Sequence, residues 1–234
     1  MNRVREPHPP RGDIYDRYIE KIGELVHGRV KRLERGDIII ELAPELEAIL
    51  PRSHQSRAEH WSQGERIEAI ISNVYQRRGP QVEVSRTSVE LLRRFFQQEV
   101  PEIYDGTVVI KSAAREAGER SKIAVMSTAP AVNPVDSCVG QKGSRVHAIT
   151  RKLHGERIDV IEWSDEPAVF AARSLTPAKV NQVRITDIEN RLMEVIVSED
   201  ELRLAIGKKD QNIRLATELV GWRIDVRSEN ETSS

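Results

Sequence analysis

The chain has 234 residues, enough for one large domain or roughly two to three small ones. Hydrophobic residues make up 38% and charged residues 31%, a balance that excludes an unfolded chain. The net charge of −1 excludes an overall basic field, so affinity for a polyanion requires cations gathered on one face.

Residues 1–12, with Pro7, Pro9, Pro10 and Gly12, are expected to form a tail, and 14–22 a short helix. The tail is rich in Arg and Pro and has no apolar core, so no secretory signal is expected. No apolar run reaches the ~20 residues of a membrane span, and a cytoplasmic location is expected. Cys138 is the single cysteine, which excludes an internal disulfide and paired-cysteine zinc; it reads as a small buried residue.

From 25 to 86 the signals are for strands. Val26, Gly28 and Val30 begin one, and Asp37 to Leu42 a second after the turn at Arg35-Gly36. Ala48-Ile49-Leu50 is a third, 67–75 a fourth and 79–86 a fifth. Short strands between Gly, Pro and Ser turns suit a small antiparallel barrel of the OB type, with 52–62 as its longest insertion.

Thr87-Ser88 then caps a helix whose Val89, Leu92, Phe95, Phe96 and Val100 have helical spacing, and Pro101 stops it. Extended stretches follow at 106–112 and 121–127, with a polar loop expected over 113–120 between them. Next comes a Gly-x-x-Gly turn, Gly140-Gln141-Lys142-Gly143, between apolar segments of helical period, and a strand at 157–162. The order is helix, strand, strand, helix, helix, strand.

That order recurs. A helix is expected over 166–175 with Pro167 in its first turn, then strands at 180–186 and 192–197. Ser198 and Glu201 have the spacing of a capping box, and a turn at Gly207-Lys208-Lys209-Asp210 leads into a helix and a strand at 222–227. Leu153-His154-Gly155-Glu156-Arg157-Ile158-Asp159-Val160 aligns with Leu219-Val220-Gly221-Trp222-Arg223-Ile224-Asp225-Val226, so the second half is an internal repeat.

A glycine turn at the start of a helix offers bare N–H groups and the positive end of the helix dipole, which suit a phosphate. Lys142 and Arg145 add charge at the first turn, and Lys208 and Lys209 at the second. Asp210 stands where the first turn has Gly143. As an N-cap it would occupy donors a phosphate needs, so the second turn is expected to grip more weakly.

Several blocks resemble the NusA family of transcription termination/antitermination factors. They are Val84-Ser85-Arg86-Thr87, Glu99-Val100-Pro101-Glu102-Ile103 with Asp105-Gly106, 114–125, and 133–140. The second copy adds Leu204-Ala205-Ile206-Gly207 and Gln211-Asn212-Ile213-Arg214-Leu215-Ala216. The resemblance runs from Gly23 to Asp225. It implies an all-β S1/OB barrel followed by two α+β type II KH domains. The expected division is 1–24 tail and short helix, 25–87 S1 domain, 88–163 first KH domain, 164–228 second KH domain and 229–234 tail. Family members begin with a polymerase-docking domain; here only 1–24 precede the barrel, so the chain reads as a fragment or a reduced relative.

The resemblance also implies single-stranded RNA, the nascent transcript, as ligand, and RNA polymerase and other elongation factors as partners of a monomer. A KH turn clamps about four backbone nucleotides. The RNA contacts then expected are Gly140, Gln141, Lys142, Gly143, Ser144 and Arg145, and Gly207, Lys208, Lys209, Gln211, Asn212 and Arg214. In the barrel Arg29 and Lys31 are added, with His27 and Tyr75 as stacking candidates. No metal or cofactor is expected: His54 and His60 have no cysteine partner, and no catalytic motif is present. A protein adaptor that binds no RNA is the competing reading.

Overall fold

The structure is a computed structural model that describes residues 11–232; residues 1–10 of the tail expected over 1–12, and the last two residues, lie outside them. It opens with α1 (Arg11–Tyr18) and a 3-10 turn at Ile19–Lys21. Five strands follow: β1 (Leu25–Glu34), β2 (Asp37–Ala43), β3 (Leu46–Leu50), β4 (Arg66–Val74) and β5 (Val82–Ser85). They close into a barrel in the order β1-β2-β3-β5-β4.

The expected all-antiparallel barrel needs one correction. β3 and β5 pair in parallel, Ala48 opposite Val82. Directions cannot alternate all the way round a closed ring with an odd number of strands, so one neighbouring pair must run the same way. The interior follows the period of two: Leu46, Ala48 and Leu50 point in from β3, and Ile38 and Ile40 join them from β2. Arg86, just after β5, is buried as well. Its Nε donates to Glu59 Oε2 at 2.9 Å and its Nη1 to the Glu68 carbonyl at 2.7 Å, so the Val84–Thr87 block serves the barrel.

The chain then carries α2 (Val89–Glu99), α3 (Pro101–Tyr104), β6 (Val108–Glu116) and β7 (Arg120–Ser127). α4 (Pro134–Val139), a 3-10 turn at Gln141–Gly143, α5 (Ser144–Lys152) and β8 (Arg157–Glu162) complete the first module. The second repeats it with α6 (Pro167–Ser174), β9 (Gln182–Asp187), β10 (Leu192–Val197), α7 (Glu199–Ile206), a 3-10 turn at Lys208–Asp210, α8 (Gln211–Val220) and β11 (Arg223–Ser228), and α9 (Glu229–Thr232) follows. Contacts divide the chain inside α2, into Met1–Arg94 and Phe95–Ser234. Both sheets have three strands, ordered β6-β7-β8 and β11-β10-β9, each with one antiparallel and one parallel pairing.

The polar loop expected over 113–120 is instead the paired end of a hairpin. Arg115 faces Ser121 and Glu116 faces Arg120 across β6 and β7. Its charges have fixed partners: Arg115 Nε donates to the fully buried Glu156 at 2.9 Å, and Gly118 N–H donates to the same carboxylate at 2.8 Å. The capping box at Ser198 is not formed, because the Ser198 side chain makes no capping bond and the Glu201 carboxylate accepts the Lys179 N–H at 2.9 Å. The face of the first sheet that carries Ala114, Ala124 and Ile161 packs on Phe170, Leu215 and Leu219 of α6 and α8, so the two modules share a core.

Candidate nucleic-acid interface

Asn133 opens the first site. Its side chain accepts the N–H groups of Val135 and Asp136 at 2.9 and 3.1 Å, and Pro134 occupies the first turn of α4. α4 ends at Gly140, whose φ of 73° and ψ of 173° turn the chain sharply. Gly140 is favoured twice over, by its backbone and by its neighbours, and Gly143 by its backbone first, since exposed His147 can move. Both have positive φ, and a Cβ on Gly140 would lie 2.7 Å from Arg145 Cγ, and one on Gly143 2.9 Å from His147 Nδ1. Gln141 and Lys142 are exposed between them, and Lys142 takes a left-handed φ of 51°. No side chain caps α5; of the N–H groups at its start, that of Ser144 donates to the Gln141 carbonyl and that of Gly143 to the Gly140 carbonyl.

Arg145 points across the turn. Its Nη1 donates to Glu102 Oε2 at 2.8 Å and to the Ser137 carbonyl at 2.6 Å, tying α5 to α3 and the end of α4. Glu102, Asp136, Ser137, Gly140, Gln141, Ser144 and Arg145 line a cleft of about 500 Å³ beside the turn. Cys138 lies beneath, fully buried, and burial followed by the Glu102 charge pushes its thiol up to about 12.

The second turn has the same backbone. Gly207 has φ 79° and ψ 169°, and Lys209 a φ of 51°. A Cβ on Gly207 would lie 2.8 Å from the Asn212 backbone nitrogen. Lys208 and Lys209 are exposed. Asp210 is left-handed, with φ 59° and ψ 19°, and its side chain makes no capping bond, so the expected N-cap is absent. Asn212 is a correction to the expected contact set. It is fully buried, and its Nδ2 donates to the carbonyls of Leu175, Leu204 and Ala205 at 3.0, 3.2 and 3.1 Å. It occupies the repeat position of Arg145, and the carbonyls of Ser137 and Leu204 are likewise equivalent. Both side chains hold their turn closed from behind.

Gln211 and Arg214 face the first module. Gln211 Nε2 donates to Glu116 Oε2 and Glu119 Oε2, both at 2.8 Å. Arg214 donates to Glu116 Oε1 through Nε at 3.1 Å and Nη2 at 2.8 Å, and its Nη1 bonds the Lys209 carbonyl. Burial acts to raise the Glu116 carboxyl, but the bonds from Gln211 and Arg214 win and hold it below its ordinary value. Sequence reasoning missed Glu116 and Glu119 by assigning them to a loop. It also missed His147, exposed beside Gly143, which the repeat aligns with Arg214.

On the barrel, Arg29 is exposed on β1 and its Nη1 donates to the Gly64 carbonyl at 3.1 Å. Lys31 is paired, 2.9 Å from Glu47 and 3.8 Å from Glu41. His27 Nε2 lies 3.0 Å from Glu68, and Tyr75 is covered by Arg77 at 4.4 Å from its ring centre.

A closed S1/OB-like barrel followed by two modules with KH strand order and glycine turns defines the class: a chain of folds that elsewhere carry nucleic-acid contacts. Residues 86–163 match the NusA-like first KH domain and 167–234 the NusA-like second KH domain. The chain is 47% identical over 230 residues to the transcription termination/antitermination protein NusA of Bacillus subtilis, covering 98% of this chain and 61% of that protein. The NusA of Halalkalibacterium halodurans is also 47% identical, with 98% and 59% covered. That of Mycobacterium tuberculosis is 40% identical over 237 residues, with 98% and 68% covered. The chain belongs to the NusA family, and spans about six-tenths of the length of the two relatives it matches at 47%. Among the described residues no helix is long and apolar enough to cross a membrane.

Proposed function

We propose that this chain binds single-stranded RNA through its two KH turns, with the first supplying most of the phosphate grip. In this reading it acts as a non-catalytic transcription elongation factor in pausing, termination and antitermination. It works as a cytoplasmic monomer on the nascent transcript, with RNA polymerase and other elongation factors as partners. The observation that carries the reading is the uncapped start of α5 beneath Gly140–Gly143, with Gln141 and Lys142 exposed over it. A strand phosphate there meets helix N–H groups and an ammonium, without a carboxylate in the turn. Bases then lie along the free edge of β8 beside α4, where Val135, Val139, Ile158 and Val160 are half-buried. On the barrel, Arg29 contributes charge and Lys31 less, because Glu47 and Glu41 neutralise it.

The test is fluorescence anisotropy of a labelled single-stranded RNA at two salt concentrations, for the wild-type chain and Gly143→Asp. The variant puts a charged side chain into a left-handed position and against His147. A loss of affinity of at least about two- to fourfold is expected, the effect of one carboxylate beside the phosphate. Wild-type-like binding by Gly143→Asp overturns the role of the first turn. Capture of RNA polymerase by a chain that binds no RNA favours the adaptor reading.

A further inference from the structure

The two turns share one backbone but not one environment. In the first module, Ser144 and His147, the first and fourth residues of α5, are exposed and make no side-chain hydrogen bond among the described residues. Their repeat equivalents, Gln211 and Arg214, are both taken up by carboxylates of the β6–β7 hairpin. Glu116 meets both of them, and Glu119 adds a second acceptor for Gln211. Two carboxylates therefore stand against the first turn of α8, the place where a phosphate would be attracted. Arg214 is the cation best matched to phosphate at this turn, and its Nε and Nη2 are spent on Glu116. Asp210 adds a further negative charge within the turn itself.

We infer that Glu116 is a built-in attenuator of RNA affinity: the first KH module holds Arg214 and Gln211 of the second against its own carboxylate, where they are withheld from the RNA backbone. The inference rests on the functional reading above and adds the residue that sets how unequal the two turns are. The second turn carries two lysines where the first has one. Lys208 and Lys209 work against Asp210 within the turn and Glu116 and Glu119 beside it, whereas Lys142 has no carboxylate in its own turn and Glu102 and Asp136 in the cleft beside it. An RNA strand crossing from one module to the other passes the Glu116–Arg214 pair and competes for it. The pair is half exposed, with Arg214 at 52% and Glu116 at 29%, so exchange of a carboxylate for a phosphate does not require the modules to separate.

The experiment compares the full chain with Glu116→Gln, Arg214→Gln and the double variant, using the same labelled RNA and a salt series. The amide in Glu116→Gln keeps an acceptor for Arg214 but removes the charge. Affinity is expected to rise about threefold at low salt. The slope of log affinity against log salt should steepen by about 0.7, one further phosphate contact on a single strand. The gain should vanish in the Arg214→Gln background. Glu119→Gln, which removes the charge of a carboxylate bonded to Gln211 but not to Arg214, should show a smaller gain and serves if Glu116→Gln does not fold. If the wild-type chain binds RNA and removing either charge leaves affinity unchanged or lowers it, Glu116 and Glu119 are structural and the inference is wrong. If the wild-type chain binds no RNA, the functional reading fails and the inference with it.

Discussion

Asp210→Gly probes the second turn at one side chain and separates two effects of opposite size. Lys209 and Asp210 are consecutive non-glycine residues in the left-handed region, at φ 51° and 59°. Gly143 holds the equivalent place in the first turn, at φ 78° and ψ 13°. Left-handed backbone costs an L-residue about 1–2 kcal/mol, with Asp at the low end, and Asp210 recovers none of it through a capping bond. Glycine removes that strain but gives the unfolded chain more freedom, worth about 0.5–1 kcal/mol in the other direction. The net change in stability is therefore expected to stay within about 0.5 kcal/mol. The charge effect survives this cancellation. A carboxylate about 6 Å from a bound phosphate, screened over a Debye length of about 8 Å, weakens binding about two- to fourfold. Anisotropy titrations at low and physiological salt should show that gain for Asp210→Gly, shrinking as salt rises. Asp210→Asn keeps a residue that tolerates left-handed backbone and removes only the charge, so it should gain as much. Failure of both variants to bind more tightly refutes the electrostatic reasoning. A gain confined to the glycine variant means that backbone conformation, not charge, limits the second turn.

Two further predictions concern buried polar side chains. Asn212→Ala leaves the carbonyls of Leu175, Leu204 and Ala205 without a shared donor, and should cost about 2–3 kcal/mol in urea unfolding. An unchanged midpoint would show that the turn closes without it. Lys122 is buried, and burial pushes its ammonium down to about 8 from an ordinary 10.5, against the pull of Asp159. Between those values the unfolded chain holds a proton that the folded chain has released, so stability should rise with pH over that window. Lys122→Met should flatten the rise, and identical pH profiles for the two proteins would contradict the shift.

The barrel strands and the repeated element order were legible because they depend on periodicity and on Gly and Pro punctuation. The β6–β7 hairpin was not. Arg115, Glu116, Glu119 and Arg120 look solvated in a linear reading, yet their partners are Glu156, Gln211, Arg214 and Asp159, each far along the chain. The glycines and lysines of both turns were legible for the same local reason as the strands. The roles of Arg145 and Asn212 were not, since a sequence shows a donor but not its direction. Asp210 misled differently. An N-cap side chain reaches the helix N–H groups from extended backbone, and Asp210 is itself wound left-handed, so its carboxylate makes no such bond.

The repeat also explains why two modules of one fold carry unlike faces. In the first sheet Lys122 lies opposite Ala114 and Asp159, and Ala124 opposite Ile161. In the second, Glu194 lies opposite Arg184 and Asp225, and Ile196 opposite Arg227. Position for position, Ala114 and Ile161 have become arginines. The first face is apolar around one charged knot, in which Arg120 and Lys122 both reach Asp159 and the Thr176 carbonyl, and it takes α6 and α8 onto itself. The second face satisfies its own charges: Glu194 lies 3.7 Å from Arg184 and 3.1 Å from Arg227, and Arg227 reaches Asp225 at 2.9 Å. A surface laced this way gains little from burial, because each ion pair would lose its hydration for no new partner. Docking of the second module on the first is thus encoded on one face only. The same docking that buries Ala114 brings Glu116 to Arg214, so the unlike surroundings of the two glycine turns follow from how the modules stack.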